Sequence, residues 1–122
     1  MRVLLVDDEV ILGEVMGEVI IAMGHDVLVA HDGIEALAII LDQPLDLVIT
    51  DVRMPRMNGA ELVAAIGVLR PRLPVLVVTG HAPQWKHIMI KTSTAMVLDV
   101  LMKPFAIDEL VRAMALVPGP SG

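Results

Sequence analysis

Five polar residues stand where short apolar runs end. Asp7 and Asp8 follow Val3 to Val6, Asp51 follows Leu47 to Thr50, Thr79 follows Val75 to Val78, and Lys103 follows Val97 to Met102. A short apolar run bounded by turn signals reads as a strand buried on both faces. If the strands are parallel, all five side chains gather at one edge of the sheet. That is the edge where open α/β sheets hold ligands. Three carboxylates at close range repel one another, and at least one pKa should rise unless a cation intervenes. Hard oxygen donors suit magnesium, which takes one or two carboxylates with waters and phosphate oxygens. A cation, the Lys103 ammonium and the Thr79 hydroxyl around Asp51 would let that aspartate accept a phosphoryl group and have its oxygens held.

Each residue alone has a plainer reading. Asp7 or Asp8 would serve as a helix cap, Asp51 as a turn residue, Thr79 as a strand end and Lys103 as a solvated charge. The combination, in this order and on these strand ends, carries the assignment. The histidines at 25, 31, 81 and 87 show no paired ligand spacing. Trp85, Ile88 and Met89 read as core, with a docking face as the alternative, and Met54 and Met57 as loop-packing residues.

The elements that must position this set alternate along the chain. Val3 to Val6 is the first strand. The first helix is expected from about Glu9 to Met23, with Ile11, Val15, Val19 and Ala22 on its inner stripe. Gly24 comes next, where a left-handed cap is wanted. Asp26 to Ala30 is the second strand, Asp32-Gly33 a turn, and Ile34, Leu37, Ala38 and Leu41 mark the second helix. The third strand ends at Asp51, and Pro55 and Asn58-Gly59 make residues 52–58 a loop. Gly59 opens the third helix, with Leu62, Val63, Ile66 and Leu69 inward. Val75 to Val78 is the fourth strand. Pro83 starts a fourth helix, since proline suits a first turn. Val97 to Met102 is the fifth strand, and Ala106 to Val117 the fifth helix, with Leu110, Val111, Met114 and Val117 inward. Five strands alternating with five helices predict one α/β domain over residues 1–117: a doubly wound, five-stranded parallel sheet covered on both faces. Residues 118–122 read as a linker stub or disordered tail.

The bulk numbers agree with one domain. A chain of 122 residues can bury roughly 65% of its unfolded surface, so no staple is needed. It has no cysteine, which excludes disulfides and thiolate metal sites and suits a reducing compartment. The net charge of -6 argues against direct nucleic-acid binding by this domain. No run approaches the ~20 apolar residues of a membrane span. Residues 1–20 carry Asp7, Asp8 and Glu9 against a single Arg2, the wrong pattern for a signal peptide. The expectation is a cytoplasmic domain without membrane contact.

The motifs together resemble a response-regulator receiver domain of two-component signalling. The matching pieces are Val-Leu-Leu-Val-Asp-Asp-Glu (3–9), Asp-Leu-Val-Ile-Thr-Asp-Val-Arg-Met-Pro-Arg-Met-Asn-Gly (46–59), Pro-Val-Leu-Val-Val-Thr-Gly (74–80) and Lys-Pro-Phe (103–105). The resemblance implies a flavodoxin-like strand order 2-1-3-4-5. It implies that Asp51 takes a phosphoryl group from a phosphohistidine on a sensor histidine kinase or phosphotransfer protein. Asp8 and Asp51 would bind Mg2+ directly with the Arg53 backbone carbonyl, and Asp7 through water. Lys103 would contact the phosphoryl group, Thr79 would move toward it, and Lys103-Pro104 would be cis. An output domain or partner protein is implied, and a homodimer through the face of the fourth and fifth helices is compatible.

Some positions depart from the family pattern. Val100 stands where Tyr or Phe is frequent, three residues before the lysine, and Thr94-Ala95-Met96-Val97 replaces a frequent Gly-Ala. Other functions fit less well. A phosphatase of the haloacid-dehalogenase type wants a second acid two residues after the nucleophile, where Arg53 stands. A partner-binding pseudo-receiver would not need the complete set. The Gly-rich signature of a dinucleotide site is absent after the first strand.

Overall fold

The computed structural model describes residues 1–52, 59–80 and 94–118. In chain order these form β1 (Arg2–Val6), α1 (Val10–Ala22), β2 (Asp26–Ala30), α2 (Gly33–Asp42), β3 (Leu47–Asp51), α3 (Gly59–Leu69), β4 (Pro74–Thr79), β5 (Met96–Met102) and α4 (Ile107–Met114). The last of these is the helix expected as the fifth. The one expected from Pro83, with Trp85, Ile88 and Met89, lies outside the described residues, as do Met54 and Met57. The strands form one parallel sheet in the order β2-β1-β3-β4-β5, as expected.

Parallel strands are covered on both faces, so alternate side chains enter two separate cores. Leu4, Val6, Val48, Val75, Val77 and Val100 meet Ala36 and Ile40 of α2 and Leu62, Val63 and Ile66 of α3. Val3, Leu5, Leu47, Ile49, Leu76, Val78 and Leu101 meet Met16 and Ile20 of α1 and Leu110, Ala113 and Met114 of α4.

The inward faces of three helices, α1, α3 and α4, differ in part from expectation. In α1 the buried residues are Gly13, Met16, Gly17 and Ile20, whereas Ile11 is 79% exposed, Val15 53% exposed and Ala22 exposed. This helix is apolar nearly all round, so its pattern points to no face, and its two glycines lie on the buried side. A Cβ on Gly17 would already touch Val27 Cγ1 at 3.9 Å. In α2 the buried face is Gly33, Ala36 and Ile40, with Ile34 and Leu41 exposed. Asp32 caps this helix by accepting the Glu35 amide at 2.8 Å, so Asp32-Gly33 is a helix start rather than a free turn. In α3 Leu62, Val63 and Ile66 are inward, but Leu69 is exposed. In α4 Leu110 and Met114 are inward, and Val111 is exposed. Gly24 has φ +95, the left-handed cap expected there.

Two features set the strand ends. Gly59 donates its N–H to the Val52 carbonyl at 2.7 Å. A Cβ there would overlap the Asp51 carbonyl oxygen and lie 2.7 Å from Val52 Cα, so only glycine allows this approach. On the other side, β5 carries a bulge: Val75 pairs with Val97 but Leu76 pairs with Asp99. Beyond it Thr79 pairs with Met102, and Lys103 N–H donates to the Thr79 carbonyl at 2.7 Å. At the opposite edge, a groove of about 860 Å³ is bordered by Met1, Leu45, Leu73, Met114, Val117 and Pro118, among others.

The helix faces can be tested by truncation. Ile20→Ala, at a fully buried position, should lower stability by about 2–5 kcal/mol. Ile11→Ala should change it by less than about 0.5 kcal/mol. Urea unfolding of both variants decides between the observed face and the one the sequence suggests.

Candidate functional site

The parallel sheet carries Asp7, Asp51, Thr79 and Lys103 to one edge. Asp7 leaves β1 with its N–H donated to the Ala30 carbonyl at 3.1 Å, and its Oδ1 accepts the Glu9 N–H at 2.9 Å. It is therefore not a helix cap: Glu9 occupies the cap position of α1, without a side-chain cap bond. Asp51 is the last residue of β3, and Thr79 the last of β4. Asp7, Asp51 and Thr79 are all buried, while Asp8 is exposed.

Lys103 reaches across the edge. Its Nζ lies 2.7 Å from Asp51 Oδ2 and 3.4 Å from Asp7 Oδ2. The next peptide bond, Lys103-Pro104, is cis. One ligand oxygen each from Asp7, Asp8, Glu9 and Asp51 lies within 4.8 Å of the others. Glu9 was not singled out from the sequence. The signal was the run of three acids at 7–9, whose last member reads equally well as the start of a helix. The Arg53 carbonyl lies outside the described residues.

The electrostatics arise from burial and from this pairing. Burial pushes the Asp7 carboxyl above its ordinary value, helped by the charge of Asp51 and opposed by the Glu9 amide and the Lys103 ammonium. Burial works against the Lys103 ammonium, but the hydrogen bond to Asp51 and the charges of Asp51, Asp7 and Glu9 outweigh it, and the Lys103 pKa is raised. Among the described residues, the edge thus gathers negative charge beyond what one lysine neutralises. Its donors are all carboxylate oxygens, which fit a hard divalent cation.

The profile of the response regulator receiver domain matches residues 3–115. The chain belongs to that family. Response regulator MprA of Mycobacterium avium is 35% identical over 114 residues, which are 93% of this chain and 49% of that protein. The chain therefore spans about half the length of the curated relatives it matches. The receiver domain of Francisella response regulator 1452 superimposes with a TM-score of 0.86 at 30% identity, covering 95% of each chain. Thermotoga maritima TrrA, solved in complex with Mg(2+)-BeF, gives a TM-score of 0.83 at 28% identity, covering 96% of this chain and 98% of that one. Receiver domains are signalling modules of two-component systems rather than metabolic enzymes. Among the described residues, no helix is long and apolar enough to cross a membrane.

The raised Asp7 pKa has a sign. A group whose pKa is higher in the folded state stabilises fully below its unfolded value and loses that contribution as pH rises through the folded one. The ordinary value is 3.8, so at neutral pH ionised Asp7 costs stability. Without a divalent cation, Asp7→Asn should be more stable than the parent near pH 7, and the gap should close toward pH ~4. Asparagine keeps an oxygen for the Glu9 amide, so charge is the main change. Urea unfolding at several pH values checks it; an Asn variant weaker than the parent at neutral pH contradicts the sign.

Proposed function

We propose that Asp51 is the phosphoacceptor of a two-component relay and receives its phosphoryl group from a phosphohistidine on a sensor kinase or phosphotransfer protein. The observation that carries this reading is Lys103 Nζ at 2.7 Å from Asp51 Oδ2, inside a cluster of carboxylates at the carboxyl ends of parallel strands. In the transfer, an Asp51 carboxylate oxygen forms the new O–P bond. The P–N bond to the donor histidine breaks, and the departing imidazole nitrogen keeps the electron pair and takes up a proton.

The chain's own residues catalyse this by charge and position. The Lys103 ammonium holds the Asp51 oxygen before transfer and meets the phosphoryl oxygens after it, a charge-assisted contact stronger than a neutral one. Asp8 and Asp51, with the Arg53 carbonyl and with Asp7 through water, would hold a magnesium ion. The ion supplies positive charge against the phosphoryl oxygens. Thr79 is fully buried at the end of β4, so its hydroxyl approaches the phosphoryl group by a shift of that strand end. A conformational equilibrium moves only by the difference in affinity between its two states, and this hydroxyl contact supplies that difference. An output domain or partner protein would read the shift.

Incubation with magnesium and a small phosphodonor should add one acid-labile phosphoryl group, and Asp51→Asn should carry none at that residue. Peptide mapping of the labelled protein checks this. Label of undiminished yield at a different residue in the variant would remove Asp51 from its role.

The metal reading has its own test. Magnesium titration should shift amide resonances near residues 7–9, 51 and 103. Asp8→Ala should weaken the titration and slow phosphorylation by about tenfold or more, the usual cost of losing a directly bound or supporting carboxylate. If both are unchanged, Asp8 is not a ligand.

A further inference from the structure

Thr50 precedes the acceptor on β3 and is fully buried. In register it lies opposite Val6 of β1 and Val77 of β4, both members of the core under α2 and α3. A valine would suit such a place, and a hydroxyl is costly there unless it is hydrogen-bonded. The hydroxyl has its partner in the next residue: Thr50 Oγ1 donates to the Asp51 carbonyl oxygen at 2.9 Å.

The carbonyl one step further is tied as well. Val52 O accepts the Gly59 N–H at 2.7 Å, with Gly59 against the Asp51 carbonyl too closely for any side chain. Two consecutive peptide planes, one on each side of Val52, are thereby fixed. The plane held by Thr50 sets ψ of Asp51, and allowed side-chain rotamers depend on φ and ψ.

We propose that Thr50 is a positioning residue for phosphoryl transfer: its buried hydroxyl holds the Asp51 carbonyl and so directs the Asp51 carboxylate. The proposal rests on the reading of Asp51 as phosphoacceptor. Thr50 touches neither the donor nor the transferred group. It acts through the backbone of the residue that does, and reacting atoms displaced by about 1 Å can cost on the order of 100-fold in rate.

Thr50→Val keeps the shape and removes the hydroxyl. With a small phosphodonor and magnesium, the rate at saturating donor should fall by about tenfold, a small displacement on that scale, while the donor concentration for half-maximal rate stays put. Thr50→Ser should restore most of the rate. Thr50→Ala should be slowed like the valine variant and replaces it if that variant does not fold. Urea unfolding of each variant records stability separately. A folded valine or alanine variant labelled at the parent rate overturns the proposal, whatever its stability. So does a serine variant as slow as valine. If the parent itself takes no acid-labile label at Asp51, the phosphoacceptor reading fails instead.

Discussion

Without the Lys103 ammonium, two buried carboxylates would face each other at the end of the sheet. Asp7 and Asp51 both sit below the surface, and Lys103 Nζ lies within ion-pair distance of each. Losing the lysine would leave both carboxylates buried and uncompensated, a far larger cost than the pairs themselves contribute. The rest of the architecture serves to bring this lysine there. It arrives from the last strand in the chain, across two neighbours, in the register that the β5 bulge sets. Among the described residues, this one charge does not balance the acids around it. An acidic edge of this kind suits a hard divalent cation.

The strand ends were legible because the signals there are local. Apolar runs stop at Asp7, Asp51, Thr79 and Lys103, and a parallel sheet places every carboxyl end on one side. Knowing the ends was therefore enough to know the neighbours. The helix faces were less legible for a physical reason. In α1 almost every position is apolar, so periodicity holds no phase information, and glycine at 13 and 17 marks the close face better than any hydrophobic residue. Ile11 and Val15 look inward by pattern and are exposed in fact. Glu9 was hidden in another way, since a single acid at a helix start serves equally as cap or as ligand. Asp32 shows the converse: a pair that reads as a turn is a helix cap.

Two glycines and a bulge do what the hydrophobic pattern cannot. Gly59 lets α3 begin against the Asp51 backbone, and Gly67 lets the same helix end on the turn before β5, where a Cβ would lie 2.7 Å from the Ala95 amide nitrogen. The helix is thus clamped between the third and fifth strands without a large side chain at either contact. Val100, buried beside Val77, fills its place with a stiff, branched side chain. Strand five carries no aromatic ring, so its core contact at Val100 is held by one stiff side chain.

The groove at the far edge has a geometric meaning of its own. Met1 and Pro118 both border it, whereas Asp7, Asp51, Thr79 and Lys103 lie at the carboxyl ends of the strands. Both residues therefore sit on the pole away from the acidic edge. A neighbour packed against that groove would leave the carboxyl ends of the strands uncovered.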